Sequence, residues 1–143
     1  MSVKQISVFL ENRPGALLGM TRVLAEHSID MRAFSLAESS DFGIARIIVN
    51  DVEKTTAVLK DAGYVHNVTP VIAVAISNTP GGLNKALAAL SGAGVNVEYM
   101  YAFVGGNRDG AYMIFRVADN AKAAEALRQN GIPLAEQEAL ESL

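Results

Sequence analysis

The hydrophobic positions of this chain alternate in some segments and recur every three to four residues in others, which distinguishes strands from helices. Alternation with β-branched side chains predicts strands at 3–10 and 71–77. The spacing of Leu83, Ala86, Leu87 and Leu90 predicts a helix with one apolar face, and residues 17–24 follow it less closely. The other predicted elements are the hairpins 30–38/43–50 and 95–104/111–118, the helices 51–62 and 119–130, and short last strands at 64–69 and 134–138.

This order of elements occurs twice because the sequence itself repeats. Residues 12–17 read N-R-P-G-A-L, and residues 78–83, which lie 66 positions later, read N-T-P-G-G-L. Each copy has the order βαββαβ, which predicts two ferredoxin-like units in tandem, an α+β fold with an antiparallel sheet and both helices on one sheet face. We expect a first domain at 1–69 and a second at 70–143, joined by a linker at 68–70.

Proline and glycine give the predicted helix ends. Pro14 and Pro80 suit the first helical position, where a missing N–H has no cost. Gly63 and Gly131 suit the position after the last helical turn, where the backbone often takes a positive φ.

Composition excludes several classes of function. Half of the 143 residues are hydrophobic and the formal net charge is −3, which argues against disorder and against a nucleic-acid partner. The absence of cysteine excludes disulfides, thiolate metal sites and cysteine nucleophiles. No apolar run approaches the roughly 20 residues that span a bilayer, and no signal-peptide pattern is present, so we expect a cytoplasmic protein with no membrane contact.

No segment has the pattern of a catalytic or metal centre. His27 and His66 have no partners at ligand spacing and are interpreted as surface or edge histidines, so no metal or cofactor is expected. The glycine-rich segment 105–110 joins two strands, which indicates a hairpin turn rather than a phosphate-binding loop. We therefore expect no enzymatic activity.

Aromatic side chains cluster on one predicted strand. Alternation sends Tyr99, Tyr101 and Phe103 to the same face of the sheet. A base-stacking platform is excluded by the acidic composition, so we interpret this as a sheet face that a partner covers. With the open sheet edge, it predicts a homodimer.

The repeated motif N-x-P-G-x-L, with Asp30 and Asn96 eighteen residues after its first position, resembles the ACT domain family, and most nearly the regulatory ACT domain of phosphoglycerate dehydrogenase. The resemblance covers the whole chain as two copies. It implies a regulatory module that binds an amino acid between two ACT units whose sheets join edge to edge. It also implies ligand contacts from Asn12 with Asp30 and from Asn78 with Asn96.

One part of the family pattern is missing. The serine site of that family also uses a histidine two residues before the loop asparagine. This chain has Leu10 and Ile76 at those positions. The missing histidine argues against serine as the ligand, and it does not argue against the mode of binding that the resemblance implies.

The loops contain the groups that a zwitterion requires. A glycine loop that enters a helix presents free backbone N–H groups to a carboxylate. Asparagine amides serve both an ammonium and a carboxylate, whereas Asp30 only accepts. Gly82 in place of Ala16 predicts more room in the second loop, and Arg13 in place of Thr79 puts a cation beside the first loop only. The candidate ligand-binding residues are Asn12, Arg13, Gly15, Ala16, Leu17, Asp30, Asn78, Gly81, Gly82, Leu83 and Asn96.

These observations predict a stand-alone sensor that binds a free amino acid and signals through a change in the arrangement of its domains or of a dimer. A metabolic enzyme is the expected recipient of that signal. The alternative is a ligand-free module that dimerises or docks on an enzyme through its sheet. In that alternative, Asn12 and Asn78 only cap their helices.

Overall fold

The computed structural model describes residues 2–103 and 110–142, and the chain divides into two compact units. The N-terminal unit is Lys4–Thr69, and the C-terminal unit is Pro70–Leu143 together with Met1–Val3. The elements in chain order are β1 (Val3–Glu11), α1 (Ala16–Glu26), β2 (Met31–Glu38), β3 (Phe42–Val49), α2 (Val52–Asp61), β4 (His66–Ser77), α3 (Gly82–Gly92), β5 (Tyr99–Ala102), β6 (Gly110–Arg116), α4 (Asn120–Gln129), β7 (Leu134–Ala135) and α5 (Gln137–Glu141).

The sheet of the N-terminal unit has β3 in the middle of β2 and β1, with both pairs antiparallel. The approach to β4 follows β1, where the Phe9 N–H donates to the Val65 carbonyl at 3.0 Å. One face of this sheet forms the core with both helices, because α1 and α2 bury apolar side chains against the inward residues of β1 and β3. The members of this core include Ile6, Val8, Met20, Leu24, Ile47 and Leu59.

The C-terminal unit repeats this architecture. Strand β4 pairs with β6 and β7, and β5 lies outside β6, with every pair antiparallel. Its core combines β4 and β6 with both long helices and includes Ile72, Val74, Leu90, Phe115 and Leu127. Both helices of each unit therefore pack on one sheet face, and the predicted α+β fold with two ferredoxin-like units is confirmed.

Helices α1 and α3 begin two residues after the predicted prolines. Gly15 and Gly81 have φ angles of 87° and 86°, in the left-handed region, so the helical path starts only after them. The prediction that placed Pro14 and Pro80 at the first helical position is wrong. The positive φ of the glycines after α2 and α4 is confirmed, at 81° for Gly63 and 70° for Gly131.

The predicted linker at 68–70 is wrong, because these residues lie inside the twelve-residue strand β4. A proline holds φ near the extended range and favours an extended residue before it, so Thr69 and Pro70 fit a strand. The division between the two units therefore falls within a strand.

Two predicted strands are shorter than expected, and one helix was not predicted. Strand β5 begins at Tyr99 rather than at residue 95, and β7 contains only two residues. The short helix α5 follows β7 and buries Leu140. The predicted hairpin turn at 105–110 lies outside the described residues except for Gly110.

The aromatic face of β5 is covered within the chain itself. Tyr101 and Phe103 are 8% and 6% exposed. The Phe103 ring packs edge-on against Tyr112, with ring centres 6.1 Å apart and an angle of 84° between the rings. The expectation that a partner covers this face is therefore wrong.

Candidate functional site

Aspartate caps the second helix of each unit. The Asp51 carboxylate accepts a hydrogen bond from the Lys54 N–H, and the Asp119 carboxylate accepts one from the Lys122 N–H, both at 3.0 Å. These contacts satisfy orphan backbone donors and place a negative charge at the positive end of the helix dipole. At the starts of α2 and α4, an aspartate therefore provides both a hydrogen-bond acceptor and a negative charge.

The first helix of each unit lacks such a cap. Glycine, which has no side chain to accept a hydrogen bond, occupies the N-cap position of both α1 and α3. Within the described residues, the N–H groups of Leu17 and Leu18 in α1, and of Leu83 and Asn84 in α3, have no backbone acceptor. The interpretation of Asn12 as a helix cap is therefore wrong, since its side chain bonds the β2–β3 hairpin, and the interpretation of Asn78 as a cap stays a prediction.

Asn12 joins the end of β1 to the β2–β3 hairpin. Its Nδ2 donates to the Ser39 carbonyl at 3.2 Å and to Glu38 Oε2 at 3.4 Å. Its backbone N–H donates to the Asp41 carbonyl at 3.0 Å. The side chain thus already has a structural role in the N-terminal unit.

The charged candidates of the N-terminal unit are paired. The Arg13 Nε lies 2.6 Å from Glu11 Oε2, and the Arg32 Nη1 lies 2.6 Å from Asp30 Oδ2. These partners reduce the charge that Arg13 or Asp30 can offer to a ligand. The cation beside the first loop, Arg13, is therefore paired rather than free.

The two candidates of each pair lie at opposite ends of their own sheet. Asn78 follows Ser77, which pairs with Gly110, whereas Asn96 precedes Tyr99, which pairs with Arg116. Strand β6 separates these ends by six residue steps, or about 20 Å. In the N-terminal unit, β3 separates Asn12 from Asp30 by about 23 Å in the same way. One amino acid cannot touch both members of a pair within one unit.

Gly82 allows α3 to approach the end of β4. A Cβ at this position would clash with the Ser77 carbonyl oxygen and would lie 2.9 Å from Ser77 Oγ. The space that the missing side chain leaves is filled by the end of β4, so Gly82 is required for this close approach, and its effect on the room in the second loop stays a prediction.

A cavity of about 350 Å³ opens beside this close approach in the C-terminal unit. Small-molecule sites begin at about 300 Å³, so the cavity has room for a free amino acid. Its lining residues come from β4, α3, β6 and the turn after α4: Ala75, Ile76, Ser77, Gly82, Lys85, Gly110, Ala111, Tyr112, Gly131, Ile132 and Pro133.

The N-terminal unit has a smaller cavity at the corresponding place, of about 300 Å³. Its lining residues are Phe9, Leu10, Glu11, Arg13, Gly15, Ala16, Gly19 and Tyr64. The two copies are offset by 66 positions before the second hairpin and by 68 after it, where residues 59–63 match 127–131, and with these offsets most of the lining residues match those of the C-terminal cavity. The duplication has therefore preserved a cavity beside the first loop of each unit.

The sequence analysis predicted only Gly82 among the lining residues of the C-terminal cavity, and Lys85 is the charged one that it missed. It corresponds to Gly19, two positions beyond the end of the compared motif, so a longer comparison of the repeats would have shown this difference but not its place at a cavity. Its side chain puts a cation beside the second loop, so the prediction of a cation beside the first loop only is wrong.

The structure places only some of the predicted residues at the cavities. Gly82 lines the C-terminal cavity, and Arg13, Gly15 and Ala16 line the N-terminal one. Leu17 is exposed on α1, and Leu83 packs against the C-terminal core. Asn12, Asp30, Asn78, Gly81 and Asn96 do not line either cavity.

The histidines have local backbone contacts. Each Nδ1 lies 2.9 Å from a carbonyl oxygen, that of Val23 for His27 and that of Tyr64 for His66. Over residues 2–103 and 110–142, no group of three or more histidine, aspartate or glutamate side chains could hold a metal ion. No helix in the same ranges is long and apolar enough to cross a membrane.

The fold and the repeated loops define a pair of ferredoxin-like units. A family model described as an ACT domain pair matches residues 1–143, so the chain belongs to the ACT domain family, whose regulatory domains typically bind amino acids. No curated protein matches the chain.

Solved structures have the same architecture. Protein BT0572 from Bacteroides thetaiotaomicron is 39% identical, with a TM-score of 0.92 over 100% of this chain and 98% of that chain. The ligand-free regulatory subunit of aspartate kinase from Thermus thermophilus is 18% identical, with a TM-score of 0.66 over 89% of this chain and 91% of that chain. The corresponding subunit from Thermus flavus is also 18% identical, with a TM-score of 0.61 over 90% and 92%. These two subunits show a shared fold.

Proposed function

We propose that this ACT domain pair is a regulatory sensor that binds a free amino acid beside the loop between β4 and α3. The observation that carries this proposal is the cavity of about 350 Å³ next to the uncapped start of α3. Free N–H groups at a helix start are suited to a carboxylate, and the cavity walls are suited to a side chain.

The ammonium group of the ligand would lie at the mouth of the cavity, near Asn78. Because Asn96 lies about 20 Å away in the same unit, its contact with the same ligand requires a second ACT unit. This separation supports the arrangement that the family resemblance implies, with ligand between two ACT units. Asn12 and Asp30 are the corresponding residues of the other copy.

The signal would follow from linkage. A ligand that binds one arrangement of the domains or of a homodimer more tightly stabilises that arrangement. The ACT pair would pass the change to a separate metabolic enzyme in the cytoplasm and would have no catalytic activity of its own.

The test is a thermal-shift screen of the purified protein against the twenty amino acids at millimolar concentration. A ligand at 100 times its Kd stabilises the folded state by about 2.7 kcal/mol, which raises the Tm of a chain of this size by about 5–10 °C. One or two chemically related amino acids should produce this shift. A flat screen on folded protein would contradict the proposal.

The second candidate function is a docking or dimerisation module that has no ligand. The observation that favours it is the exposure of Phe34 and Leu36, each 55% exposed, on strand β2 at the edge of its sheet. The variant Asn78→Ala/Asn96→Ala separates the two functions. The sensor loses its ligand-induced shift and keeps its association, whereas a docking module has no shift to lose.

A further inference from the structure

Lys85 lies in the first turn of α3, where a cation is electrostatically unfavourable. The helix dipole places positive charge at this end, and the first turn contains no acidic residue. Lys54 and Lys122 occupy the first turns of α2 and α4, but an aspartate cap precedes each of them. Lys85 has Gly81 at that position and forms no ion pair within the described residues. An anion bound at this end of α3 would remove the unfavourable interaction.

Lys85 lies at the cavity beside the start of α3. Helical side chains lean toward the N-terminus of their helix, and a Lys85 side chain with this lean can bring its ammonium to the end of α3 where the N–H groups of Leu83 and Asn84 lie. Lys85 and Gly82 both line the cavity. A carboxylate at this end of the cavity would therefore have both a charged donor and backbone donors.

The opposite walls of the cavity are apolar. Ile76, Ile132 and Pro133 line it, together with the ring of Tyr112. No aspartate or glutamate is among the described lining residues, so the walls offer no charged partner to a basic side chain. The chemistry fits a carboxylate at one end and an apolar side chain at the other.

The N-terminal cavity differs at the positions that matter. Gly19 replaces Lys85, and Tyr64 replaces Ile132, with the Tyr64 hydroxyl 3.3 Å from where a Cβ on Gly19 would lie. The one cation of its lining, Arg13, is paired with Glu11 at 2.6 Å. Among the described residues, this cavity has no unpaired cation to hold a carboxylate.

We propose that the chain binds one amino acid with an apolar side chain, in the C-terminal cavity, and that Lys85 holds its α-carboxylate. The inference rests on the proposed function and adds the ligand class, the anchoring residue and the stoichiometry. The duplicated cavity of the N-terminal unit does not bind this ligand.

The experiment is isothermal titration of the full chain with leucine, isoleucine, valine, methionine and phenylalanine, and with serine, aspartate, glutamate and lysine. We expect an apolar amino acid to bind tightest, with one ligand per chain. Lys85→Met keeps the aliphatic stem and should weaken this binding about tenfold or more, because hydrogen bonds to charged groups are strong. Lys122→Met, the first-turn lysine of the aspartate-capped α4, is the matched control and should leave the Kd unchanged.

A decarboxylated analogue of the ligand shows whether Lys85→Met acts by removing a contact to the carboxylate or by altering the cavity as a whole. The amine that corresponds to the best amino acid should bind weakly, and equally so to the wild type and to Lys85→Met. If Lys85→Met bound the amine more weakly than the wild type does, Lys85 would not act through the carboxylate, and that assignment would be overturned. Two ligands per chain, or tightest binding of an acidic or basic amino acid, would overturn the proposal while leaving the sensor function in place. Absence of binding for all the amino acids would overturn both.

Discussion

Glycine occupies three positions around the C-terminal loop for two different physical reasons. Gly81 has a positive φ, which side chains with a Cβ rarely adopt. Gly82 has an ordinary φ but lies against the Ser77 carbonyl, and Gly110 lies in the same way against the Ile76 carbonyl, 2.8 Å from where its Cβ would be. The end of β4 is therefore held closely on both sides by backbone. This close packing defines one wall of the cavity.

Gly82→Ala tests the close packing. The added methyl group should lower the free energy of unfolding by about 1–3 kcal/mol, because β4 or the start of α3 has to move. Gly92→Ala at the other end of α3 is the matched control, since nothing lies within 4 Å of its Cβ position. We expect that control to be neutral or to stabilise the protein by up to about 1 kcal/mol. Urea unfolding measures both, and equal effects would contradict the packing argument.

At the scale of elements, the two helices of each unit differ in the residue at the N-cap position, which is glycine for the first helix and aspartate for the second. The aspartates before α2 and α4 accept hydrogen bonds from backbone N–H groups, which is the common way in which a helix start is capped. The glycines before α1 and α3 leave the donors to solvent or to a ligand. The duplication preserved this difference in both units.

Replacement of Asp51 measures the contribution of a completed helix start. Asp51→Ala should lower the free energy of unfolding by about 1 kcal/mol, because the Lys54 N–H loses its acceptor. Asp51→Asn retains a capping oxygen and should lower the free energy of unfolding by only about a few tenths of a kcal/mol. Chemical denaturation of the two variants is the measurement. An Asn variant as unstable as the Ala variant would show that the charge, rather than the cap, is responsible.

The sequence predicted the elements that depend on periodicity and missed those that depend on local geometry. The repeat and the apolar spacing were sufficient for the order βαββαβ. The helix starts were misplaced because Gly15 and Gly81 take a left-handed conformation that periodicity does not report. Helix α5 is too short to have a period. Lys85 was missed because its significance depends on a cavity formed by four separate elements.

At the scale of the whole molecule, the exposed edge of the N-terminal sheet is the surface best suited to a second copy of the chain. Strand β2 pairs only with β3 in the described part of the chain. Residues 33–37 at its centre, A-F-S-L-A, contain no charge, whereas solitary edge strands usually have charged or proline residues that prevent pairing. The buried aromatic face of β5 no longer supports a dimer, so the predicted homodimer depends on this edge.

Leu36→Lys therefore tests the homodimer directly. We expect the wild type to be a dimer in sedimentation equilibrium, and the lysine at the centre of β2 to raise the dimer dissociation constant at least tenfold, because charge pairs unfavourably across a two-fold axis. Leu18→Lys is the matched control, since Leu18 is as exposed, at 58%, but lies on α1 rather than on the strand edge. A monomeric wild type would remove the dimer from the signalling scheme and leave rearrangement of the domains as its mechanism. If Leu36→Lys and Leu18→Lys raised the dimer dissociation constant equally, the dimer interface would not lie at β2. Only an interface through the β2 edge is weakened by a charge on that strand and left unchanged by a charge on α1.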